Sequence, residues 1–195
     1  MGIYLVSVDA AEWFDDDEDS CGELAAALNE ELVRRGLAPY TSVPAAAPLV
    51  RGSGRQFEEK LVPPMDGFVA LCETHLSPAE CETLYDWTCL VPISLEEPIR
   101  LPISSGYTDD SVVAGAPQVS AIAERLASAV ELPPEVPKTS DNLDLTMWFL
   151  DGPAKELAQL RPGPWSADLD AAFHVALFLR AAQHSLRCGA PLIYV

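Results

Sequence analysis

Basic residues are scarce in this chain. It carries 12 Lys+Arg against 30 Asp+Glu over 195 residues, a formal net charge of −18. A surface of that sign repels phosphates, so no nucleic-acid partner is expected. Long apolar runs are missing too: none approaches the roughly 20 residues a helix needs to cross a bilayer, so no membrane partner is expected. The opening residues have no basic region and no extended apolar stretch, which argues against a secretory signal. Val6 stands where N-myristoylation requires Ser or Thr. The cysteines number 5, an odd count with no C-x-x-C pair, so free thiols in a reducing, cytoplasmic setting are the expectation. Neither a G-x-S-x-G elbow nor a G-x-G-x-x-G or Walker loop occurs, and no cofactor is expected.

What is there is globular. Hydrophobic residues make up 49% and charged residues 22%, which excludes intrinsic disorder, and the length suits one domain spanning 1–195. Residues 2–8 are rich in Ile, Tyr and Val and predict a buried strand. Ser20-Cys21-Gly22-Glu23 has capping-box spacing, and the helix it opens carries Leu24, Leu28 and Leu32 on its inner face until Gly36 stops it. Residues 38–66 form a Pro/Ala/Gly-rich surface excursion, with a short strand expected at 40–43 and a helical turn at 56–61. Such an excursion suggests a lid or binding loop.

Further on, residues 67–72 predict a strand and Ser77-Pro78-Ala79-Glu80 a strongly capped helix. Two extended runs follow, 89–94 and 99–103, joined by a hairpin-like 95–98. Pro92 and Pro102 suit an edge position. A helix is expected over 117–130, an alternating strand over 143–150, a long buried helix over 168–187 and a closing strand over 192–195. The succession predicts an α/β fold: three layers and a mostly parallel sheet, with an antiparallel portion near 89–103.

Chemistry is suggested at a few points. Ligands of α/β sheets bind where strands end. Asp9, Glu73, His75 and Asp109 are therefore candidates for converging carboxylates and an imidazole able to hold a divalent ion and activate water. Haloacid-dehalogenase-type hydrolases need a second Asp two positions after the first, and Ala11 occupies that position. The acidic run at 15–19 fails as a calcium loop because Ser20 replaces the required glycine and Ala26 the required glutamate. Cys72, His75, Cys81 and Cys89 have ligand types that suit zinc but lack a second close pair, so no metal is assigned. Arg51 and Arg55 flank Gly52-Ser53-Gly54, a loop suited to a phosphate or carboxylate. His174 and His184 on the last helix are expected to be core histidines. Taken together, these features favour a non-catalytic module whose acidic surface binds a basic protein partner, as inhibitor and immunity-type proteins do. The alternative is a metal-dependent hydrolase built on the strand-end carboxylates.

Overall fold

A computed structural model describes residues 2–15, 17, 21–48 and 50–195. One six-stranded mixed sheet runs through it in the order β2-β1-β6-β3-β5-β4. Its strands are β1 (Ile3–Ser7), β2 (Glu58–Leu61), β3 (Cys89–Val91), β4 (Ile99–Leu101), β5 (Ser111–Gly115) and β6 (Leu192–Tyr194). The helices are α1 (Ala10–Trp13), α2 (Gly22–Arg34), α3 (Asp66–His75), α4 (Pro78–Tyr85), α5 (Ala116–Ala129), α6 (Asp144–Leu150), α7 (Pro153–Leu160) and α8 (Leu169–Cys188). The α/β class is therefore as expected.

The sheet is not mostly parallel. Among the strands of the described residues, only β3 and β5 pair in parallel, and the other four pairings are antiparallel. The reason lies in α8, which ends beside the carboxyl end of β1, where Val8 donates its amide to Pro191 O at 2.9 Å. A chain entering the sheet from that edge must run against β1 and β3, and β6 does so. The closing strand is interior, as expected, but it enters in the opposite direction.

Register assigns the side chains to two sheet faces. Leu5, Leu90, Ala114 and Leu192 point to one face and share a core with α3 to α8. Cys89, Val91, Val113 and Ile99 point to the other and pack with Leu28 and Leu32 of α2. The zinc candidates are split accordingly, with Cys72 and Cys81 in the first core and Cys89 in the second.

Several local expectations are overturned. Residues 67–72 are helical, because the buried positions are Phe68 and Cys72, four apart, as one helix face requires. Residues 143–150 belong to α6, where Leu145, Thr146 and Phe149 are buried and the alternation is accidental. Residues 40–43 form no strand, whereas 58–61 form β2 rather than a helical turn. The runs at 89–91 and 99–101 do not make a hairpin, since β5 lies between them. Their connection passes over the end of β5, where a Cβ on Gly115 would sit 2.6 Å from Ile93 O.

The capped helices hold. Ser77 and Glu80 make the reciprocal capping box of α4, Asp168 caps α8 and Gly189 ends it at φ +71°. The Ser20 cap and most of the 15–19 acidic run (Asp16, Glu18 and Asp19) lie outside the described residues. No helix among the described residues is long and apolar enough to cross a membrane.

Candidate functional site

Because β1, β3 and β5 point the same way, their carboxyl ends share one edge of the sheet, the edge at which α/β proteins hold ligands. A cleft of about 520 Å³ opens there, at the end of β1. Val6, Val8 and Phe57 give it apolar walls, Pro44, Ala45 and Ala47 line it further, and Cys188 and Ala190 line it near the start of β6. Among the described residues, its charged lining is Asp9, Glu12 and Glu58 against a single cation, Arg55.

Each of these groups is placed by a local cause. Asp9 follows β1 directly and is the N-cap of α1: its Oδ1 accepts the amides of Ala11 at 2.8 Å and Glu12 at 3.2 Å. Capping engages one carboxylate oxygen of a residue that lines the cleft. Glu12 is one turn further along α1, and crowding by protein and then the Asp9 charge push its carboxyl above the usual range. Glu58 pairs with Val6 on the open face of β1–β2.

The 44–47 segment is tethered at both ends, by Ala10 N to Pro44 O at 2.8 Å and Gln56 Nε2 to Ala47 O at 2.8 Å. Behind it Tyr40 exchanges hydrogen bonds with Asn29 and donates its hydroxyl to Gly189 O at 2.7 Å. The 38–66 excursion is thus seated on the fold at Tyr40, Phe57 and Glu59, all buried.

The Arg51–Arg55 loop does hold a carboxylate, but it is the chain's own. Asp141, 1% exposed, accepts the amide of Gly54 at 3.0 Å, that of Gln56 at 3.4 Å and the Ser53 hydroxyl at 3.4 Å. Arg51 leans toward Asp144 at 3.9 Å. Arg55 projects into the cleft lining, and its guanidinium makes no ion pair among the described residues.

The four strand-end candidates do not assemble. Asp9 is in the cleft, whereas Glu73 and His75 are exposed on α3. Asp109 precedes β5 and therefore lies toward the opposite edge from Asp9. Among the described residues, no group of three or more His, Cys, Asp or Glu is arranged to hold a metal ion.

Glu12, Glu58 and Cys188 were missed from sequence: Glu12 is a neighbour of Asp9 on α1, whereas Glu58 and Cys188 are brought to it by two distant segments, β2 and α8. A second missed feature is a histidine–cysteine pair on α8: Nδ1 of His184 is 3.9 Å from Sγ of Cys188. Its four-residue spacing was a readable signal. Both histidines of α8 are buried as expected, and Nε2 of His174 is 3.1 Å from Pro63 O. No protein family, curated protein or solved structure was found to match this chain.

Proposed function

We propose that this chain is a single three-layer α/β domain that binds a small ligand bearing a positive charge, a primary amine or guanidinium, in the cleft at the end of β1. One observation carries the reading: three carboxylates, Asp9, Glu12 and Glu58, and one guanidinium, Arg55, line the same cleft. A cation placed between Asp9 and Glu12 relieves their mutual repulsion, which is the condition for favourable pairing. Arg55 then suits an acidic or carbonyl group at the ligand's other end.

The experiment is calorimetric titration with agmatine, butylamine, acetate and phosphate. Amines should bind, with affinity falling as salt rises, and Asp9→Asn combined with Glu12→Gln should abolish the heat. Binding of acetate or phosphate in preference to amines would overturn the reading.

A basic protein partner is the second reading, and the charge of −18 favours it. Against a dedicated acidic face, exposed acids occur on both sides of the sheet: Glu23 and Glu30 on α2, and Glu73, Glu82 and Glu124 on α3, α4 and α5. A lysine-rich peptide that binds when free amines do not would favour the protein partner. The five unpaired cysteines support a cytoplasmic setting for either role.

A further inference from the structure

With 30 Asp+Glu to 12 Lys+Arg, acids are plentiful enough to pair every cation. Arg34, Arg35, Arg125 and Arg161 each hold a glutamate. The cations around the 51–55 loop do not. Arg55, Lys138, Arg180 and Arg187 make no ion pair among the described residues, and Arg51 only leans toward Asp144 at 3.9 Å.

Two segments meet on α8 to gather these charges. Arg180, His184 and Arg187 recur at spacings of four and three, so they share one face of that helix. Arg180 donates Nε to Pro137 O at 2.8 Å, and Arg187 donates Nη2 to Gly54 O at 2.9 Å. The 136–139 segment therefore lies beside the 51–55 loop, and a Cβ on Gly54 would stand 3.5 Å from Thr139, the neighbour of Lys138. Arg51, Arg55, Lys138 and Arg187 are exposed, with Arg180 half-buried among them.

We infer that Arg51, Arg55, Lys138 and Arg187 form a docking surface for a short acidic segment of a partner protein. The loop's amides at Gly54 and Gln56 are already engaged by Asp141, so the loop offers side-chain charge and not an amide nest. Guanidinium groups suit carboxylates through paired hydrogen bonds. Arg51, Lys138 and Arg187 stand outside the cleft lining, which favours an extended segment over a small enclosed ligand. Arg180 adds its charge from below, where burial lowers its pKa and no carboxylate offsets it.

The acids nearby leave this charge largely uncovered. Asp141 is buried, Asp144 is the group beside Arg51, and Glu135 is taken by Arg161. Asp9, Glu12 and Glu58 border the surface only at Arg55, on the cleft side. The net charge of −18 sets the partner's size. A long nucleic acid would run onto acidic surface and be repelled, whereas screening over about 10 Å lets a short run of carboxylates feel the local cations alone. The inference stands apart from the cleft ligand, which is assigned through Asp9, Glu12 and Glu58.

The test measures fluorescence anisotropy of a labelled glutamate decapeptide with the full chain at low salt. Arg51→Gln combined with Lys138→Gln should weaken binding at least about tenfold. Arg34→Gln combined with Arg100→Gln removes the same charge from α2 and β4, at the other edge of the sheet, and should leave binding within about twofold. Thermal melts establish that both variants are folded. A wild-type measurement needs no variant: a decapeptide carrying one activated ester should acylate Lys138 in preference to Lys60 and Lys155, the other lysines of the chain. Absence of binding, equal weakening by the two variants, or acylation spread over the three lysines would overturn the surface. Single-stranded DNA binding more tightly than the peptide would overturn the partner class.

Discussion

The buried carboxylate of Glu59 on β2 grips the start of α6 through Thr146, accepting its amide at 2.9 Å and its hydroxyl at 2.8 Å. The amide of Leu145 joins at 2.8 Å. Helix α6 needs this outside acceptor because Leu143 at its N-cap adopts φ 59° and offers no side-chain cap. Glu59→Ala would strand both amides, and each buried donor left without an acceptor costs about 1–3 kcal/mol. Urea unfolding should show that loss, and an unchanged midpoint would contradict the clamp.

The same residue gives a signed pH dependence. Burial pushes the Glu59 carboxyl above its usual range despite the hydrogen bonds that favour its charge. The folded state therefore binds this proton more tightly than the unfolded state, and Glu59's contribution falls as pH rises through the raised value. Glu59→Gln does not titrate. The stability of wild type minus that of Glu59→Gln should decline from the ordinary glutamate range upward, and a difference that grows with pH would reverse the argument.

Gly67 and Asp168 supply a coupled pair. A Cβ on Gly67 would overlap Asp168 Oδ2, and Asp168 is not free to swing away while its Oδ1 caps α8 at Ala171 N, 2.9 Å. Gly67→Ala should therefore cost about 1 kcal/mol, the usual worth of an N-cap. In an Asp168→Ala background the clash is gone, and the same change should stabilise α3 through helix propensity. Additive effects in the double-mutant cycle would refute the coupling.

The Arg51–Arg55 loop is held by Asp141 rather than by its own packing. Residues 51–53 are exposed and Gly54 is buried under Arg187, which donates to Gly54 O at 2.9 Å. Limited trypsin digestion should cut first at Arg51 or Arg55, and Asp141→Ala should hasten the cut by freeing two backbone amides. First cleavage within α8 would contradict this order of local stability.

Local signals were legible and assembled ones were not. The helices α4, α5 and α8 could be read because a cap or a proline marks where each begins, and a glycine marks where α8 ends. Strand β5 escaped notice because Ser-Val-Val-Ala-Gly is short and small, although it is buried throughout between β3 and β4. β2 reads as polar because Glu59, its buried member, serves α6 and not the core. Asp9 was legible from its place after β1. Its partners Glu58 and Cys188 come from strands and helices whose pairing the sequence does not encode locally.

The final strand bears most on the integrity of the fold. β6 lies between β1 and β3, so its removal divides the sheet rather than trimming it. Leu192 is fully buried, Tyr194 stacks on Trp87 with ring centroids 5.2 Å apart, and Val195 exchanges backbone hydrogen bonds with Tyr4 at 2.8 and 2.9 Å. Losing residues 192–195 would leave the facing groups of β1 and β3 unpaired, and buried unpaired backbone groups are scarcely tolerated. Together with the lost apolar contacts, that rivals the roughly 5–15 kcal/mol that holds a whole domain together. The truncated chain should be insoluble or lack cooperative melting. Leu192→Ala is the graded version, keeping the strand and its hydrogen bonds while opening a cavity, and should cost about 2–5 kcal/mol. A truncated chain with wild-type melting would mean that β1 and β3 do not depend on β6, and the interior placement of that strand would have to be abandoned.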